Sequence, residues 1–300
     1  MGKTDIEWCD YTFNPWRGCS KISAGCAHCY AETLSNRFNG FHGVWGPNGT
    51  RVPASEAYWK KPLVWDKRAA HAGERYRVFC ASLADVFEDR EELDPHRERL
   101  WALIHNTPHL DWLLLTKRPA RMAEWAATHG WPDNAWAGTS VEDQAAADKR
   151  IPHLLRVPAR IRFLSMEPLL GPVDISMGLE SFRGHDAMMR RDPAPVSWVI
   201  VGGESGSEAR PMHPVWVEQI RNQCIRARVP FFFKQWGAWV PRGSWATGVP
   251  TPEGVVTMRL TIEGRNGQTE SGEYHVWMQR LGKKKAGRVF VDRVWDEVPR

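Results

Sequence analysis

Cys19, Cys26 and Cys29 stand within eleven residues, spaced C-x6-C-x2-C, in a chain of 300 residues whose other cysteines, Cys9, Cys80 and Cys224, are scattered. Thiolates are soft ligands that suit iron–sulfur clusters, zinc and copper. The start of the chain, MGKTDIEWCD, has no apolar core and no small-residue cleavage site, so a cytoplasmic location is expected. There, a cysteine cluster reads as metal binding or redox chemistry rather than as disulfides.

Three readings of this loop compete. A cubane cluster of four irons usually takes four cysteines. With three, one iron stays open to a small molecule bearing an amine and a carboxylate, as the methionine end of S-adenosylmethionine (SAM) does. Alternatively, His28 completes a Cys3His zinc site. Ligands this close in sequence fit tetrahedral closure poorly, and Cys80 and Cys224 do not form a second Cys-x2-Cys pair. In the third reading the thiols are inert.

The elements that must position this loop follow a clear rhythm. Nearly continuous apolar runs occur at Arg77–Ser82, Trp112–Thr116, Ala135–Thr139, Ile161–Ser165, Ser197–Gly202 and Val229–Lys234, as in strands of a parallel sheet covered on both faces. Between them, helices are expected over Pro95–His105, Pro119–Thr128, Val141–Leu155 (with Ser140 as N-cap and Pro152 breaking the last turn) and Pro214–Arg228. An earlier helix is expected over Cys29–Phe38, so the cysteines lie in a loop after the first expected strand and ahead of the first helix. The order β-α repeated about six times implies an α/β fold with a parallel sheet, either open or closed into a barrel. Gly40–Trp65 and Gly171–Pro195 interrupt the rhythm and read as lids or surface insertions. From Pro241 onward, Thr257–Ile262 and Arg288–Asp292 suggest a small β-rich appendage. The domain reading is therefore a (β/α) domain over 1–240, with insertions near 40–65 and 171–195, and an extension over 241–300.

Polar residues follow each apolar run. They are Ser82 and Asp85; Thr116, Lys117 and Arg118; Thr139, Ser140 and Glu142; Ser165 and Glu167; Gly202, Gly203, Glu204 and Ser205; and Lys234, Gln235 and Trp236. In parallel α/β folds the C-terminal strand ends carry the ligands, so these groups form the candidate site. Asp85, Lys117 and Glu167 are the catalytic candidates. Ser82, Thr116, Thr139, Ser140, Ser165, Gly202, Gly203, Glu204 and Lys234 are the cofactor-binding candidates. Lys117 and Arg118 also suit an anion or a helix cap, and Glu204 suits SAM or substrate.

Composition bounds the rest. A hydrophobic content of 42% with 25% charged residues is ordinary for a globular protein. No stretch approaches the roughly 18–20 apolar residues that span a bilayer, so no membrane partner is expected. The net charge of +5 permits a polyanionic partner without requiring one. Lys283, Lys284 and Lys285 read as a solvated tail or a phosphate-contacting patch. The 17 tryptophans serve as core, cleft wall or base-stacking surface.

The segment WCDYTFNPWRGC, the cysteine loop and the YAE after it resemble a radical-SAM-like family widespread in phages and prophages, whose members are mostly of unknown function. The resemblance continues through SLADVFED, LLLTKRP, GTSVEDQ, RFLSMEPLLGPVD, VIVGGESG, ARPM, FFFKQWG and a GKK…GR…WDE tail. It covers nearly the whole chain. The wider superfamily commonly uses C-x3-C-x2-C, whereas the first gap here is six residues, and its GGE element normally follows the second strand rather than a late one. What the resemblance implies is a radical-SAM-like partial or full barrel holding a [4Fe-4S] cluster on Cys19, Cys26 and Cys29. It further implies reductive cleavage of SAM to methionine and a 5′-deoxyadenosyl radical, and an electron donor such as flavodoxin or ferredoxin. A nucleic acid or nucleotide is the first guess at the substrate. A nucleic-acid-binding protein with structural zinc and an iron–sulfur redox protein without SAM turnover are the competing functions.

Overall fold

A computed structural model describes residues 3–38, 44–179, 195–246, 248, 254–265 and 271–299. Seven strands form the main sheet: β1 (Tyr11–Thr12), β2 (Tyr76–Cys80), β3 (Leu110–Thr116), β4 (Ala135–Ser140), β5 (Arg162–Met166), β6 (Trp198–Gly202) and β7 (Phe231–Gln235). Their order in the sheet is their order in the chain. The pairs β1–β2, β2–β3, β3–β4 and β6–β7 are parallel. A parallel sheet that never reverses its order is wound like a (β/α) barrel rather than doubly wound. Among the described residues β1 and β7 end the order without pairing to each other, so the barrel is partial and the sheet open.

The six expected strands lie within two residues of their apolar runs. Every residue of β4 and β6 is buried, which is why these runs are apolar without alternation. Leu110, Trp112, Leu113 and Leu114 of β3 are fully buried, each stabilising the fold by about 1.5–3 kcal/mol.

The helices are α1 (Tyr30–Arg37), α2 (Lys61–Ala72), α3 (Asp94–His105), α4 (Pro119–His129), α5 (Gln144–Leu155) and α6 (Pro214–Ala227). Proline in the first turn opens α2, α3, α4 and α6, where its missing N–H costs no hydrogen bond. Two expectations about α5 are corrected. Ser140 is the last residue of β4, and the cap is Asp143, whose Oδ1 accepts the Ala146 N–H at 2.8 Å. The helix also continues through Pro152, flanked by the buried Ile151 and Leu154.

The Gly40–Trp65 interruption is only partly a loop. Glu56–Trp59 and the start of α2 are helical, and Trp59 and Trp65 are buried. In the second interruption Ser176–Leu179 is a short helix, while Met188 and Met189 lie outside the described residues. The C-terminal region holds an antiparallel sheet of β8 (Trp239–Pro241), β9 (Thr257–Arg265) and β10 (Ser271–Arg280) in the order β8-β10-β9. The strand expected over Arg288–Asp292 is confined to Val289–Phe290, which pairs with Arg293–Val294, because Val291 and Asp292 turn with positive φ.

By its internal contacts the chain divides into two compact units. The first comprises 1–140, 149–163 and 181–195; the second comprises 141–148, 164–180 and 196–300. No helix among the described residues is long and apolar enough to cross a membrane.

Candidate cofactor site at the cysteine loop

In the first unit the cysteine loop leaves β1 and ends on α1. Gly18 precedes the first cysteine with φ +104°, and a Cβ there would stand 2.8 Å from the Thr50 carbonyl oxygen. Only glycine fits both the backbone and the space. Its N–H donates to the Leu83 carbonyl at 3.0 Å, tying the loop to the segment after β2. Cys26 closes a short helical turn over Ala24–Cys26. Cys29 is the N-cap of α1.

Buried charge pins the loop. Glu88 accepts Arg51 Nη2 at 2.6 Å, Arg51 Nε at 2.7 Å and the Ser20 hydroxyl at 2.5 Å. Both ion-pair side chains are only 3% exposed. Arg51 also donates to the Val44, Gly46, Gly49 and Thr50 carbonyls. Arg97, fully buried on α3, donates to the carbonyls of Val86, Glu88 and Arg90 and holds that segment from below. On the other side, Arg118 Nη2 donates to the Ser20 carbonyl at 3.0 Å, and Nη1 stands 3.9 Å from Cys19 Sγ. Asp85 fixes this guanidinium at 2.8 Å. Its two oxygens also accept the Thr116 hydroxyl at 2.6 Å and the N–H groups of Phe87 and Lys117 at 3.0 and 3.1 Å.

These neighbours set the electrostatics. Burial pushes the Cys19 thiol up to about 12, aided by the Asp85 carboxylate, while Arg118 pulls the other way. Burial likewise raises Cys29, opposed by the Glu32 and Ala31 backbone N–H groups facing its sulfur and by the Lys117 ammonium. Burial works against the charge on Arg118, yet Asp85, Cys19 and Glu88 hold its pKa above the ordinary arginine value.

Of the remaining expected residues in this unit, Ser82 bonds Asn14 Nδ2 through its hydroxyl at 3.1 Å and accepts the Tyr30 hydroxyl on its carbonyl at 2.5 Å. The Thr139 hydroxyl is spent on the Thr116 carbonyl at 2.8 Å. Ser140 is 3% exposed, and its carbonyl accepts Arg150.

The second unit carries the other strand ends. Glu167, after β5, accepts Lys234 Nζ at 2.6 and 2.9 Å and Gln235 Nε2 at 3.1 Å. A Cβ on Gly202 would stand 3.2 Å from this carboxylate. Gly203 gives way to the Trp236 carbonyl, which a Cβ would meet at 2.0 Å. Glu204 is clamped by the Arg210 side chain at 2.6 and 2.8 Å and by its N–H at 2.8 Å. Ser165 and Glu142 are buried, and the Ser165 carbonyl accepts the Val141 N–H at 3.0 Å.

The structure thus brings Cys19, Asp85, Thr116, Lys117 and Arg118 into one network in the first unit, and Glu167, Gly202 and Lys234 into another in the second. Sequence reasoning missed Arg51, Glu88, Asn14 and Arg210. Glu88 lies three residues beyond Asp85 in the same motif, a signal that was available. Arg51 sits 37 residues from its partner, in a stretch whose glycines and tryptophans read only as a loop.

All three cysteines are free thiols and partly accessible. A guanidinium faces one sulfur and two peptide N–H groups face another. That donor set suits an anionic group bound through thiolates, because cations and helix N-termini favour the deprotonated sulfur. Among the described residues no three His, Cys, Asp or Glu side chains already stand in a metal-ligating arrangement.

No curated protein matches the sequence. Among solved structures, two mutants of spore photoproduct lyase are similar, each with a TM-score of 0.45 and 12% sequence identity over 93% of this chain and 71% of the other. The family model described as a protein of unknown function (DUF5131) matches residues 3–299, and the chain belongs to that family.

Proposed function

We propose that this chain is a radical SAM-type enzyme of the phage three-cysteine group, with Cys19, Cys26 and Cys29 holding a [4Fe-4S] cluster that leaves one iron open to SAM. The observation that carries this reading is a set of three free, partly accessible thiols on one loop, faced by Arg118 and by the N-terminus of α1. When bound, the cluster and SAM supply one-electron cleavage to methionine and a 5′-deoxyadenosyl radical.

The chain's own residues do the positioning. Cys19, Cys26 and Cys29 would hold the cluster through their sulfurs. Arg118, held charged by Asp85, and Lys117 near Cys29 offset the negative charge that three thiolates introduce. Arg51, Glu88 and Arg97 keep the loop from recoiling. Asp85 acts through Arg118, since its oxygens are filled by four donors. In the second unit Glu167, fixed in place by Lys234 and Gln235, is the carboxylate available to accept a ligand hydroxyl. Ser82, Thr116, Thr139, Ser140, Ser165, Gly202, Gly203 and Glu204 belong to this proposal as residues that line or support cofactor binding. A flavodoxin- or ferredoxin-type donor supplies the electron, and a nucleic acid or nucleotide is the substrate class.

The test is anaerobic reconstitution with iron and sulfide, followed by chromatography for 5′-deoxyadenosine after addition of SAM and dithionite. The intact chain should release it, and Cys29→Ala should not. A preparation that takes up stoichiometric zinc, refuses iron and leaves SAM intact would overturn the proposal.

A further inference from the structure

The three-stranded C-terminal sheet buries one face and exposes part of the other. Val276 and Met278 of β10 are buried with Trp239, Ala238 and Ala209. Trp277, between them, therefore points the opposite way and is 54% exposed. Arg259 of β9 pairs directly with Trp277. On the other side Pro241 pairs with Met278, and the Arg242 N–H donates to the Trp277 carbonyl at 2.8 Å, extending the ladder by one rung. Arg242, Trp277 and Arg259 thus lie side by side across three strands, spanning about 10 Å.

Both arginines are exposed. Among the described residues neither side chain makes an ion pair or a hydrogen bond, and neither lies over the Trp277 ring. The next rung holds Thr261 bonded to His275 at 2.8 Å. From Gly254 to Thr261 and from His275 to Arg288 the sequence carries Arg259, Arg280, Lys283, Lys284, Lys285 and Arg288 and no Asp or Glu. Lys283–Lys285 are exposed.

An indole left in water between two uncommitted guanidinium groups has no structural use. An apolar protein partner would call for apolar neighbours on the same face, whereas Thr257, Thr261, His275 and two arginines surround this ring. A base has a flat π-face to stack on the indole, and its flanking phosphates meet the arginines. We infer that this face binds single-stranded nucleic acid, with Trp277 stacking one base and Arg242 and Arg259 contacting phosphates. The inference sharpens the substrate class named above and, as a statement about turnover, rests on that reading. Binding itself is measured without SAM or reductant, so its failure and the failure of cluster chemistry are separate results.

The experiment is fluorescence anisotropy with the reconstituted full chain and labelled oligothymidylate of about twelve nucleotides, alongside matching oligouridylate and a duplex. The single strands should bind more tightly than the duplex, and comparing the first two tells DNA from RNA. Trp277→Ala should weaken binding about 5- to 150-fold, and Trp277→Phe should retain most of it. Arg242→Gln and Arg259→Gln should each lower the slope of log affinity against log salt by about 0.7. All three positions of change are exposed, so folding is expected to survive and is checked by circular dichroism. No binding by any of the three probes, equal binding by folded Trp277→Ala, or an unchanged salt slope in both arginine variants would overturn the inference.

Discussion

The cysteine loop of the first unit and the strand ends of the second are both built from carboxylates paired with cations, yet the pairs do different things. Around the loop, Arg118 Nη1 is shared between Asp85 and Cys19 Sγ, while its Nη2 donates to the Ser20 carbonyl. Arg51 is divided between Glu88 and the backbone of the loop. The carboxylates are anchors, and the cations reach past them to the sulfur-bearing segment. In the second unit Lys234 gives two bonds to Glu167, and Arg210 gives three to Glu204. There the carboxylate is the endpoint. Charge type is the same in both regions, so the difference comes from what else each cation meets.

That contrast orders the consequences of breaking each part. The largest effect is on the thiolates themselves: alanine at Cys19, Cys26 or Cys29 should abolish cluster loading, read as loss of iron and of the broad absorbance near 400 nm, while the chain stays folded. Next come the anchors. Glu88→Ala strands a guanidinium that is 3% exposed and should cost about 3–5 kcal/mol in urea denaturation. Replacing both partners by apolar residues should cost less than the single change. Asp85→Ala leaves Arg118, at 13% exposure, with some access to water and should cost about 3 kcal/mol, with a lower yield of loaded protein. Glu204→Ala should cost only about 1.5 kcal/mol, since Arg210 is 31% exposed, and should leave iron loading intact. If Glu204→Ala lowered iron content as much as Asp85→Ala, the contrast between the two regions would fail. The mildest probe is maleimide labelling of the native apoprotein. Cys19, Cys26 and Cys29 should react ahead of the buried Cys9, Cys80 and Cys224, and reconstitution should protect those three alone.

The sequence made the sheet easy to read because buried parallel strands leave continuous apolar runs. β1 was expected ahead of the cysteines but without bounds, because Tyr11–Thr12 is too short for any periodicity. The start of α2 carried its own signal, Pro62 in the first turn, but the glycines before it suggested a loop throughout. The cap of α5 was misplaced because Ser140, a good capping residue, is still inside a fully buried strand. Cysteine spacing announced the candidate site directly. Its support did not show, since Arg51–Glu88 and Asn14–Ser82 join residues 37 and 68 positions apart and no local pattern records such pairing. Trp277 makes the same point from the other side. Seventeen tryptophans look alike in composition, and only the fold separates the exposed Trp277 from Trp8, Trp16, Trp112, Trp198 and Trp236 in the core.

The most direct measurement is electron paramagnetic resonance of the anaerobically reconstituted, dithionite-reduced chain with and without SAM. A four-iron signal whose shape changes when SAM is added is the expected result, because only a cluster with an iron left open by Cys19, Cys26 and Cys29 can be approached by the amine and carboxylate of SAM. A four-iron signal indifferent to SAM, or no cluster signal in a protein carrying zinc, would contradict the account.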